Sequence, residues 1–152
     1  LYQYFPGKEA LVVAVARKHN AELMRVVKAA LAEVADLPLE QGVAALVAAA
    51  VAAHRADPRL HRVLAEEIPR VGALQEVARF SQENFALLGA YLESHRSEMT
   101  APDVGLAKFV CVTTIEALTH TAVLHHSEVL ADERMAAFIG ETTRLIVGYL
   151  GC

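Results

Sequence analysis

The chain has 152 residues, 55% of them apolar and 21% charged, and a formal net charge of −4. This length suffices for one well-cored domain, and the apolar content excludes an intrinsically disordered chain. The acidic balance excludes nucleic-acid binding through the bulk field of the chain, so any such role requires a local patch.

Helical periodicity dominates the sequence, and we find no convincing alternating strand pattern. Proline, glycine and aspartate residues mark the breaks between the apolar periodic segments. In this interpretation Pro69 ends the third helix and opens the fourth. We predict an all-α bundle of about six helices, spanning residues 7–35, 39–56, 58–68, 69–95, 102–126 and 132–150.

The first residues, LYQYFPGKEAL, place aromatic side chains and a lysine around the start of the first helix. A cation in the first turn opposes the helix dipole, so Lys8 is unfavourable there unless an anion lies opposite. Tyrosine hydroxyls also donate to phosphates, and Tyr2, Tyr4 and Lys8 together suggest a clamp on a DNA backbone. The alternative is that the aromatic residues pack in the core and that Lys8 is simply solvated.

This stretch resembles the signature of TetR-type transcriptional regulators, in which a DNA-recognition helix ends and a long connecting helix begins. The places of that pattern are filled by Leu1, Tyr2, Tyr4, Phe5, Lys8 and Leu11. The resemblance implies that residues 1–5 are the remnant of the recognition helix and that residues 6–152 form a ligand-binding and dimerisation domain. Most of the helix-turn-helix headpiece is then expected to lie before Leu1, so that this segment alone binds operator DNA feebly or not at all.

The last two predicted helices suggest a homodimer. The helix at 102–126 is apolar nearly all round, and the helix at 132–150 carries a wide apolar stripe. A helix without a polar face must be covered on two sides, here by its own core and by a second subunit. The alternative is that both are core helices of a monomer. The predicted interface comprises Leu118, Ala122, Phe138, Thr142, Leu145, Ile146 and Tyr149.

The resemblance also implies a small-molecule pocket between the connecting helix and the central helices. Polar residues stranded on apolar helix faces are the best sequence indication of such a pocket. The predicted lining comprises Met24, Val27, Leu31, His54, Leu64, Phe85, Leu88, Phe109, Thr113, Glu116 and His120. Because burying a lone charge is costly, Glu116 and His120 alternatively satisfy one another or bond across a dimer axis. For Phe85 and its neighbours, core packing is the alternative.

No metal site and no cofactor are predicted. His120, His125 and His126 do not share one helix face, and no nearby cysteine completes a ligand set. The segment HRADPRLHRVLAEEIPR is rich in charge, and its polar residues are expected to form weak surface pairs. Those residues are His61, Arg62, Glu66 and Glu67.

The remaining features suggest a cytoplasmic protein that does not associate with membranes. The longest mostly apolar run without charge, residues 43–53, is too short to span a bilayer. No secretory leader is expected, because the first residues are aromatic and turn-forming. Cys111 and Cys152 lie far apart in the sequence and indicate reduced thiols.

The predicted function is that of a ligand-responsive transcriptional regulator, a repressor that binds operator DNA as a homodimer. A small hydrophobic effector is expected to release it from the DNA. The alternatives are a helical protein-interaction module and an all-α enzyme of unknown reaction, although the sequence contains no nucleophile motif or phosphate-binding loop.

Overall fold

The computed structural model describes residues 6–152 of the chain. Within that range the protein consists of six α-helices with no strand, which confirms the predicted all-α bundle. The helices are α1 (Lys8–Val34), α2 (Leu39–Ala56), α3 (Pro58–Arg70), α4 (Leu74–Ser94), α5 (Val104–His125) and α6 (Asp132–Leu150), with 3₁₀ turns at Arg96–Glu98 and Ser127–Leu130.

Local capping interactions fix several of the helix ends. The Asp57 carboxylate accepts a hydrogen bond from the Leu60 backbone N–H at 3.0 Å, and Pro58 occupies the first turn, where no N–H is needed. Asp103 caps α5 in the same way, accepting from the Leu106 N–H at 3.0 Å. At the end of α6, Gly151 adopts a left-handed conformation with φ 71° that closes the last turn.

The predicted break at Pro69 is wrong. Pro69 lies inside the last turn of α3, and the helix continues to Arg70. Beyond the first turn, a proline removes one i→i−4 hydrogen bond and crowds the carbonyl four residues before it, and α3 ends one residue after Pro69. The reversal occurs instead at Gly72, whose φ of 73° suits a residue without a Cβ atom.

The helices enclose a core that is divided into clusters. The largest cluster joins the end of α1 to α2, α4 and α6 through Val34, Leu39, Val47, Leu92 and Leu150. A second cluster packs the start of α1 on α3. A third joins α2 to α5 and to the turn after it. The long helix α1 therefore contacts different partners along its length, α3 near its start and α2 near its end.

The apolar character of α5 and α6 leaves large side chains at the surface. Leu106 and Phe109 on α5 are each 56% exposed, and Leu145 and Tyr149 on α6 are 55% and 39% exposed. Of the other predicted interface residues, Leu118 and Phe138 are half-buried. Ala122, Thr142 and Ile146 are buried within the subunit and have no surface left for a partner, which corrects that part of the prediction.

The helix α5 is also long and apolar enough to span a membrane. Within residues 6–152, no other helix meets this criterion. Its most apolar window is 33% buried inside the protein, and α5 packs against α2, α3, α4 and α6. A core helix of a soluble protein passes the same test, so this composition is only weak support for a membrane span.

Candidate ligand-binding cavity

A cavity of about 500 Å³ lies between α1, α2, α3, α4 and α5, with Ile146 and Leu150 of α6 in its wall. The run of small residues on α2 helps to create this space, because Ala49, Ala50 and Ala53 line it with methyl groups only. The wall is mainly apolar, and a few polar side chains reach it from α1, α2, α3, α4 and α5. This combination is typical of small-molecule sites.

Six of the predicted pocket residues line this cavity. They come from five helices and are Val27, His54, Leu64, Leu88, Glu116 and His120. Each of them lies on the side of its helix that borders the cavity, although His120 is also exposed to solvent.

The other five predicted residues lie elsewhere. Met24 is buried beside a second, polar groove that contains Lys28 and Glu83. Leu31 packs against the largest core cluster. Phe85 stacks on Phe109 with ring centroids 6.3 Å apart, and this pair sits at the surface side of α4 and α5. Thr113, one turn beyond Phe109 on α5, is exposed. The helix face shared by Phe109 and Thr113 therefore points away from the cavity.

Glu116 and Asn84 form a polar pair across the cavity wall. The Asn84 side-chain amide donates to the Glu116 carboxylate at 2.8 Å, while the Asn84 carbonyl oxygen is buried and has no partner among residues 6–152. Burial raises the pKa of Glu116, and the hydrogen bond from Asn84 opposes that rise. The alternative in which Glu116 and His120 satisfy one another is not what the structure contains, since Glu116 bonds to Asn84 instead.

Tyr91 contributes a further polar atom. Its hydroxyl is buried without a hydrogen-bond partner in the described part of the chain. The ring lies against α2 so closely that a Cβ atom at Gly42 would overlap the hydroxyl. Burial raises the pKa of the Tyr91 phenol, so the hydroxyl is neutral and keeps a proton to donate.

Four histidines from four helices meet in the same cavity: His19 of α1, His54 of α2, His61 of α3 and His120 of α5. The ring centroid of His61 lies 4.2 Å from that of His120 and 4.9 Å from that of His54. The Nε2 atom of His19 is 3.3 Å from Nδ1 of His61. We call these four residues the histidine cluster.

The histidine cluster is neutral near pH 7. Burial, followed by repulsion from His120, His54 and His19, lowers the pKa of His61 to about 3. Burial is also the largest cause of the lowered pKa at each of the other three rings. Imidazoles held in the neutral form keep a lone pair on one ring nitrogen.

The sequence interpretation missed His19 and assigned His61 to the surface. His61 is only 7% exposed, so the expectation that it forms a surface pair is wrong. The two residues join His54 and His120 because α1, α2, α3 and α5 cross at this point. The amphipathic pattern of α3, with His61 on the face of Leu64 and Ile68, was the signal available in the sequence.

The predicted DNA-contacting residues fall partly outside the described range. Tyr2 and Tyr4 lie there, whereas Lys8 is at the start of α1 and 65% of its side chain is exposed. Its ammonium group is 2.6 Å from a carboxylate oxygen of Glu67, which also pairs with Arg70 at 3.1 Å. Glu67 therefore supplies an anion opposite this unfavourably placed lysine.

The fold and the cavity together define a helical-bundle domain with an internal apolar site. Residues 38–150 match the family described as "Tetracyclin repressor-like, C-terminal domain". Comparisons with curated proteins and with solved structures gave no match.

The family match covers most of the chain, and the protein belongs to the TetR family of regulators. This confirms the resemblance inferred from LYQYFPGKEAL. It also confirms the fold class as that of a TetR-type C-terminal domain, and it favours a regulator over an enzyme.

Proposed function

We propose that this protein is a ligand-responsive repressor that binds operator DNA as a homodimer and dissociates when a small hydrophobic effector enters the cavity. The observation that carries this proposal is the position of α1. It provides part of the cavity wall through Leu23, Val26 and Val27, and in the sequence its first turn, with Lys8, follows residues 1–5, which this proposal assigns to DNA contact. One helix thus joins the two sites.

The effector has an apolar body and at least one polar group. The apolar walls of α2 and α4 favour an aliphatic or aromatic framework, whose burial contributes about 25 cal/mol per Å². The free Asn84 carbonyl oxygen accepts a hydrogen bond, and the Tyr91 hydroxyl donates one. A neutral ligand with both a donor and an acceptor satisfies both groups, which otherwise stay buried and unpaired.

The two subunits associate through α5 and α6. The large exposed side chains of Leu106, Phe109, Leu145 and Tyr149 favour an apolar interface between these helices and their copies. A dimer of this kind places two headpieces on half-sites separated by ~34–36 Å or a multiple of it. A small pivot of α1 then spoils the fit to DNA.

The effector shifts the population of two α1 positions rather than pushing the helix directly. The ligand lowers operator affinity only to the extent that it binds the mismatched state more tightly. Residues 1–5 are, in this proposal, the end of the recognition helix, and residues 6–152 are the ligand-binding and dimerisation domain.

Blocking the cavity tests this proposal. Full-length protein is used to select an operator from random DNA duplexes, and hydrophobic compounds that displace anilinonaphthalene sulfonate from the protein are then added. We expect these compounds to release the operator from wild type. In Ala53→Phe, which fills the cavity, release should be lost while operator binding remains.

Ala52→Phe is the matched control, since Ala52 is the exposed neighbour of Ala53 on α2. This variant should respond to the compounds as wild type does. A compound that binds wild type tightly and leaves operator affinity unchanged would refute the mechanism, as would equal responses in the two variants.

A further inference from the structure

The histidine cluster has the geometry of a metal-binding site. One ring nitrogen from each of His54, His61 and His120 lies within 4.8 Å of the other two. In a tetrahedral site with metal–nitrogen bonds of ~2.0–2.1 Å, ligand nitrogens are roughly 3.4 Å apart. Side-chain shifts of about 1 Å therefore bring the three nitrogens onto one ion.

Hydrogen bonds in the structure orient two of the rings for this role. The His54 Nδ1 lies 2.8 Å from the Ala50 carbonyl oxygen, and since a carbonyl only accepts, Nδ1 carries the proton. The Nε2 of His54 is then left with a lone pair. Metal-bound histidines commonly donate their other N–H to a backbone carbonyl in the same manner.

The two nitrogens of His61 also have different surroundings, and Nε2 carries the lone pair in the tautomer in which Nδ1 donates to His19. Its Nδ1 is engaged with His19 at 3.3 Å. Its Nε2 is fully buried and has no hydrogen-bond partner among the described residues, and the residue as a whole is 7% exposed. A buried polar atom left unpaired costs free energy, and a metal ion would satisfy it.

The donor atoms of the three rings indicate the class of metal ion. Glu116, one turn before His120, bonds to Asn84 and leaves the donor set purely imidazole. Imidazole favours zinc, nickel and copper, whereas magnesium and calcium favour oxygen ligands.

We propose that His54, His61 and His120 bind one divalent transition-metal ion of the zinc class, and that His19 is a positioning residue that holds the His61 ring. All three ligands line the cavity, so the fourth coordination position opens into it. A ligand with a nitrogen, oxygen or sulfur donor completes the coordination from inside the cavity. The ion joins α2, α3 and α5, and His19 extends the link to α1.

Metal binding in this proposal does not depend on DNA binding or on the identity of the effector. It is tested with Co²⁺, which substitutes for zinc and absorbs strongly in the visible range when its coordination is tetrahedral. The full chain is used without a histidine tag, after treatment with a chelator. We expect one Co²⁺ per chain, with the tetrahedral spectrum and displacement by Zn²⁺.

The variant His120→Gln removes one ligand at an exposed position, which leaves the fold intact. We expect its Kd for Co²⁺ to rise at least tenfold and the tetrahedral bands to disappear. His19→Ala should weaken binding about 10–100-fold while keeping those bands, as loss of a residue that orients a ligand does. His125→Gln on the same helix is the matched control and should bind as wild type does.

Three results would overturn the proposal: no Co²⁺ binding, a weak octahedral spectrum, or equal Kd values for His120→Gln and His125→Gln. Circular dichroism of each variant without metal confirms that it is folded, and His54→Gln replaces any variant that is not. Failure of the DNA-release experiment leaves these measurements unaffected, so the two proposals fail separately.

Discussion

Arg17 of α1 and Glu76 of α4 form a two-point ion pair, with Nε 3.1 Å and Nη2 3.0 Å from the two carboxylate oxygens. Glu76 is 7% exposed, whereas the Arg17 side chain remains 58% exposed. The hydrogen bond from Arg17 is the main reason that the pKa of Glu76 lies below its usual 4.5. The pair fixes α1 to α4 beside the cavity residue Asn20, whose amide bonds to the Glu76 carbonyl at 3.4 Å.

We predict that Glu76→Gln lowers the free energy of unfolding at pH 7 by about 1 kcal/mol. This value is small for a hydrogen bond between charged groups because Arg17 is exposed to solvent. A lowered folded-state pKa stabilises the protein above the unfolded pKa of 4.5, and this contribution disappears as the pH falls through the folded value. The difference between wild type and variant should therefore shrink below pH 4.5.

Urea unfolding at pH 7 and at acidic pH measures this difference. Glu22→Gln is the matched control, because Glu22 also forms a two-point pair, with Arg25, but is exposed. It should change stability little at either pH. If the loss of unfolding free energy caused by Glu76→Gln stays constant as the pH falls, the stabilisation does not come from an ionised Glu76 carboxylate.

We predict that position 42 requires glycine, because the Tyr91 hydroxyl occupies the space that a larger side chain would need. A methyl group there would overlap the hydroxyl of a buried ring, and overpacking of this kind costs about 1–3 kcal/mol. Gly42→Ala should therefore lower the unfolding free energy even though alanine is the better helix former.

Gly89→Ala provides the comparison, because the added methyl there meets only the flexible side chain of Lys108. Thermal unfolding should show a lower Tm for Gly42→Ala and an unchanged or higher Tm for Gly89→Ala. Equal Tm values in the two variants would mean that Tyr91 moves aside into the cavity at no cost.

The proposed dimer predicts a specific effect at Leu145. This side chain is 55% exposed on α6, and a charge placed there would be buried without a partner between two subunits. We expect wild type to have twice the chain mass of 16.4 kDa by light scattering, and Leu145→Glu to shift toward the monomer. Val63→Glu, on α3 and 54% exposed, should leave the mass unchanged. A wild-type monomer would remove the dimer from the proposal.

Most of the fold could be predicted from the sequence because the helix boundaries are encoded locally. Asp57 and Pro58 end one helix and start the next by interactions within a single turn. The error at Pro69 arose because proline in the last helical turn and proline after it look alike in a sequence, and Gly72 was the residue that decided the reversal.

The site could be predicted only in part, since it depends on how helices cross. Helical periodicity places His54 and Glu116 on inward faces, but it does not say which inward residues meet. His19 and His61 are 42 residues apart in the chain and 3.3 Å apart in the structure. Nothing in the spacing along any one helix indicates this contact, because it arises from the packing of α1 on α3.

The DNA-binding proposal makes its own prediction at Lys8. If Lys8 contacts a DNA phosphate in the full-length protein, its removal releases one fewer counterion on binding. Lys8→Ala should then lower the affinity for all operator sequences by a similar factor. It should also reduce the slope of log Kd against log salt concentration by about 1. Lys18→Ala, exposed on the same helix, should leave the slope unchanged.

The ion pair with Glu67 adds a second arm to this experiment. Glu67 holds the Lys8 ammonium 2.6 Å from its carboxylate, and the hydrogen bond from Lys8 is the largest cause of the lowered Glu67 pKa. Phosphate and Glu67 thus compete for one cation, so Glu67→Gln should raise operator affinity. That gain should vanish in the double variant with Lys8→Ala, since the two changes act through the same group. A salt slope that is the same with and without Lys8 would show that Glu67 is its only anionic partner in function.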